Sequence, residues 1–147
     1  MKNIILGIIG LLLLGGLGFG GWYFWTQKSG ANVQEVFVLA DSMEITFTPE
    51  GENKTYKKTV NYQPQVWLLT GTISEKKAPA VKCGYHGTVQ FFAKNKPLFA
   101  EPAAFNLSPE CQHVAFMYKG KVQRRVLLNE GANYLRDILE EVKQESL

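Results

Sequence analysis

The stretch HVAFMYKGKVQRRVLLNEGANYLRDILEEV, residues 113–142, decides the fold. Apolar and aromatic residues fill His113 to Tyr118, and Val122 to Leu128 follows as a second strand-forming run. Lys119-Gly120-Lys121 supplies the tight turn between them, so the two runs read as a β-hairpin. Then the period changes. Tyr134, Leu135, Ile138, Leu139 and Val142 recur at three- and four-residue spacing, which places them on one face of a helix from about residue 132 to 144. Arg136, Asp137 and Glu140 fall on the wet side. An amphipathic helix after antiparallel strands needs a sheet face to cover. The expected class is therefore α+β, a β-rich antiparallel domain closed by a C-terminal amphipathic helix.

The chain upstream supports more strands. In Ser42–Thr48, Met43, Ile45 and Phe47 point one way while Glu44, Thr46 and Thr48 point the other, the signature of a half-buried strand. Val33–Leu39 is predicted to precede it as another. After a turn at residues 49–53, Tyr56–Tyr62 reads as an edge strand whose lysines discourage unwanted pairing. The apolar run Val66–Leu69, continuing to Ile73, predicts a strand covered on both sides. A charged loop, 74–79, then leads into a strand from Val81 to Phe92. Pro97, Pro102 and Pro109 make residues 93–109 a long connection, held to the core by Phe99, Phe105 and Leu107.

Farther upstream, Ile4 to Trp25 contains no charged residue. As a helix it would rise about 33 Å, close to the ~30 Å hydrocarbon thickness of a bilayer. A basic start and an apolar core also suit a cleaved signal peptide, for which Ser29-Gly30-Ala31 offers a cleavage site. The length of the run and the belt Trp22-Tyr23-Phe24-Trp25 favour retention. The expected organisation is a transmembrane signal anchor at 1–28 and an extracytoplasmic β-rich domain at 29–147. Lys2 and the amino terminus precede the span and only Lys28 follows it closely, so the positive-inside preference keeps the N-terminus cytoplasmic. That predicts a single-pass protein of a bacterial inner membrane with its C-terminal domain in the periplasm. Gly16 and Gly20 form one small-xxx-small pair that would let a second helix pack closely.

Charge limits the partners. Of sixteen basic residues, Lys2 and Lys28 belong to the anchor, leaving fourteen against thirteen acidic ones. So nearly neutral a domain is a poor match for nucleic acid. Lys54, Lys57 and Lys58, then Lys76 and Lys77, read as solvated strand faces and turns. The same holds for Lys119, Lys121, Arg124 and Arg125, with anionic headgroups or an acidic partner as the alternative.

The chain has two cysteines and two histidines, and they fall together as Cys83 with His86 and Cys111 with His113. In an oxidising compartment one disulfide, Cys83 to Cys111, is the simplest reading. A Cys2His2 zinc site has the right ligand inventory, but Cys-x-x-His and Cys-x-His are not the usual paired-ligand loops. Cys111, His113 and Met117 on one strand face would supply the ligand types of a blue-copper centre, although one residue between cysteine and histidine is tight for chelation. No nucleophile elbow, phosphate loop or haem attachment motif is present, and no cofactor is expected. The expected function is a membrane-anchored accessory or assembly subunit whose extracytoplasmic domain binds another envelope protein. The alternative is a periplasmic redox or metal-handling protein using the Cys83/His86 and Cys111/His113 pairs.

Overall fold

The computed structural model describes residues 33–80 and 82–147. The expected membrane span, with Gly16 and Gly20, lies outside them. Among the described residues no helix is long and apolar enough to cross a membrane.

Eleven elements follow in order: α1 (Val33–Phe37), β1 (Ser42–Phe47), β2 (Tyr56–Val60), α2 (Gln63–Gly71), β3 (Ile73–Lys77), β4 (Gly87–Ala93), β5 (Lys96–Pro97), β6 (Ala103–Asn106), β7 (His113–Tyr118), β8 (Lys121–Leu127) and α3 (Asn129–Glu145). The eight strands form one antiparallel sheet in the order β2-β1-β4-β6-β7-β8-β3, with β5 beside β4. The α+β class, the antiparallel sheet and the C-terminal helix are as the sequence predicts.

Alternation sets the two faces of the sheet. Met43, Ile45 and Phe47 of β1 pair with Phe91, Val89 and Gly87 of β4, and the registers carry this face on through Phe105 to Val114. All three helices contribute to the core against it, with Phe37 of α1, Val66 and Leu69 of α2, and Leu135, Ile138 and Val142 of α3 buried. Phe37 sits between Phe91, Phe99 and Phe116 at centroid distances of 5.5, 5.4 and 5.3 Å, an aromatic knot that closes one end of the core. The C-terminal part of α3 is tied to β2 and the β1–β2 turn by Lys58–Glu141 at 2.8 Å and Lys143–Glu52 at 2.6 Å.

Six expectations need correction. Residues 33–37 are helical, because Val33, Val36 and Phe37 at helical spacing all reach the core. The Val66–Ile73 run is the helix α2 up to Gly71, with Pro64 in its first turn, where a missing N–H costs nothing. The charged loop is the edge strand β3, bulged against β8 between Ile73 and Lys77; its charges are how an edge resists pairing. The long connection 93–109 contains β5 and β6, and β6 inserts between β4 and β7. The strand expected from Val81 begins only at Gly87, and α3 starts at Asn129, ahead of its predicted residue 132.

Candidate functional site at the disulfide end

β4 and β7 begin, and β6 ends, at one end of the sheet, and every cysteine and histidine of the chain is there. Cys83 and Cys111 stand at disulfide distance with Cα atoms 6.2 Å apart, joining the loop before β4 to the loop before β7. Neither cysteine lies in a strand, so the expected sharing of a strand face by Cys111, His113 and Met117 holds only for the last two.

The loops are held by their own polar groups. His86 donates its backbone N–H to Phe105 O at 2.9 Å, and its Nδ1 accepts the N–H of Leu107 at 2.9 Å. Asn106, 3% exposed, donates to the carbonyl of Gly84 and accepts the N–H of Ser108 at 2.8 Å. Gln112 reaches across to Leu127 O at 2.7 Å and Asn129 Oδ1 at 3.1 Å, linking this end to the start of α3. His113, 3% exposed, pairs Nδ1 with the carbonyl of Cys111 under the Tyr85 ring, 5.6 Å away. A carbonyl can only accept, so His113 carries a proton on Nδ1. His86 accepts at Nδ1 and therefore presents N–H at Nε2. Two imidazoles, one donating and one accepting at Nδ1, thus flank the disulfide.

Two pockets of about 370 Å³ each open beside it, within the range of small-ligand sites. One is lined by Pro79, Pro109, Gln112, His113, Val126 and Leu128, the other by Glu50, Cys83, Tyr85, His86 and Asn106; Glu110 and Cys111 line both. The first is largely apolar and suited to an aliphatic or aromatic side chain. The second is polar.

The expected metal candidates Cys83, His86, Cys111, His113 and Met117 are not brought together as a ligand set. The sulfurs are committed to each other, and among the described residues no cluster of three or more His, Cys, Asp or Glu side chains could hold an ion. Tyr85, Asn106 and Gln112 were not legible as site residues. Only Asn106 carried a signal, as an Asn two residues before an N–H it can accept within a proline-punctuated connection. Compared with protein families, curated proteins and solved structures, the chain matches none of them.

Proposed function

We propose that this chain is a single-pass accessory or assembly subunit of a bacterial inner membrane, and that its periplasmic domain binds another envelope protein. The observation that carries the reading is the uncovered side of the sheet. Phe92, Ala104, Met117, Val122 and Val126 point away from the helices, and none of them is buried. Val122 is exposed and the others are half-buried, beside the buried Ala115 and His113 of the same face, and partly open apolar side chains on the side away from the helices have the form of half an interface. The proline-lined pocket adjoins this face through Val126 and would receive an apolar anchor from the partner. Gentle detergent extraction followed by sizing and in-membrane crosslinking tests it. A chain that migrates alone and crosslinks to nothing removes the proposal, and Met117→Glu should abolish a captured partner without unfolding the domain.

A second reading, thiol–disulfide exchange, rests on Cys83 and Cys111 being only partly buried. A double serine variant that folds but loses a redox phenotype would favour it.

A further inference from the structure

We infer that the opposite end of the sheet docks on the anionic headgroups of the bilayer, a reading that rests on the anchor proposed above. β1 begins, β4 ends and β7 turns into β8 at that end. Two two-residue hairpin turns project from it. Lys94 and Asn95 have φ of 50° and 62°, and Lys119 and Gly120 have φ of 50° and 75°. Both turns are thus of type I′, whose first position favours Asn, Asp or Gly. Lysine in the left-handed region costs turn stability, yet it occupies that position in both. A residue that works against its own turn twice, at the same end of the molecule, points to a task for the charge.

The surroundings fit a membrane surface. Lys96 and Lys121 flank the turns, and no ion pair among the described residues engages any of the four lysines; the Lys119 ammonium lies over the Tyr118 ring, 5.4 Å from its centroid. Asp41 accepts the Lys94 N–H at 2.7 Å and the Ser42 hydroxyl at 3.0 Å, while Glu101 is exposed on the neighbouring connection. Beside the Lys94 turn, Val38 and Leu39 are 62% and 61% exposed, and Trp67, 47% exposed, donates its indole N–H to Val38 O at 3.3 Å. Exposed aliphatics, an indole and lysines together are the composition of an interfacial surface. A juxtamembrane lysine contributes roughly fivefold to binding an anionic leaflet.

The test uses the full chain in nanodiscs of phosphatidylcholine, with and without phosphatidylglycerol. Amide exchange at residues 93–97 and 117–122 should slow when the anionic lipid is present, and each of Lys94→Asn and Lys119→Asn should reduce that slowing roughly fivefold. Asparagine suits the left-handed position, so these variants should melt no lower than the parent and a folding defect cannot mimic the result. Equal exchange in both lipids, or slowing that survives both substitutions, overturns the inference. Alkaline carbonate extraction reports on the anchor separately. A chain that is extracted but floats with phosphatidylglycerol vesicles retains the docking surface without the anchor, and one that floats with neither lipid loses both readings.

Discussion

Replacing Cys83 and Cys111 together by serine gives the sharpest check on the disulfide end. The bond closes a loop with a sequence separation of 28. On the chain-entropy relation a loop of that length restricts the unfolded chain by about 12 cal/mol/K, which at room temperature is about 3.6 kcal/mol. Both side chains are only partly buried, so the serines add little desolvation penalty and the loss should lie near that figure. For a domain of this size it corresponds to a fall of roughly 15 °C in Tm. The assay is urea unfolding of the full chain in detergent, with and without reductant. Parent and variant should differ by this amount when oxidised and converge when reduced, because only the parent has a bond to lose. A parent unmoved by reductant, or a variant within about 1 kcal/mol of the oxidised parent, would refute the reasoning. Amide exchange in residues 82–86 should rise first, since Cys83 is the covalent tie between that loop and the rest.

Gly87→Ala should cost about 3 kcal/mol in urea unfolding, because a Cβ there would run into the backbone oxygen of Thr46 and lie 2.6 Å from Phe105 Cζ and 3.1 Å from Phe47 Cα. Tyr134→Phe should be neutral or stabilise by up to about 1 kcal/mol, since its buried hydroxyl has no hydrogen-bond partner among the described residues; burial also pushes that phenol above its ordinary value. The hydrogen bond from Lys143, reinforced by Tyr56, holds the Glu52 carboxyl below its ordinary 4.5. Its contribution is therefore present above that value and fades as pH falls through the lowered one, so the urea midpoints of Glu52→Gln and parent should converge in acid. Hydrogen bonding to Glu52 and Glu141 raises Lys143 and Lys58 above 10.5, so their contribution is complete below that pH and is lost as alkali passes the raised values. Both effects should be small and shrink with added salt, as exposed pairs do.

Elements with a one-sided pattern were legible in the sequence. Met43, Ile45 and Phe47 announce β1, and the spacing of Leu135, Ile138 and Val142 announces α3, because each presents one face to one core. The stretch Val66-Trp67-Leu68-Leu69 carries no such contrast. Val66 and Leu69 are buried while Trp67 and Leu68 stay exposed and equally apolar, so α2 imitates a doubly covered strand. β3 was hidden by Glu75, Lys76 and Lys77, which an edge tolerates and a turn resembles. β6 was hidden by its brevity, its two alanines and the prolines around it. The Cys83–Cys111 pairing was legible because two cysteines admit one bond. The hydrogen bonds of His86, Asn106 and Gln112 were not, since they depend on which loops the strand order brings together.

That strand order also governs how the sheet is assembled in time. The β1–β2 hairpin is local, as is the β4 to β8 meander, but β1 completes its pairing only with β4, and β3 pairs only with β8, at Leu127 and Arg125. Closing such distant contacts is slow compared with forming hairpins. A chain emerging N-terminus first would therefore carry an exposed strand edge on β1 until β4 is made, and an unpaired β3 until β8 is made. Nascent chains halted before Leu127 should be the ones that chaperones hold and proteases clear.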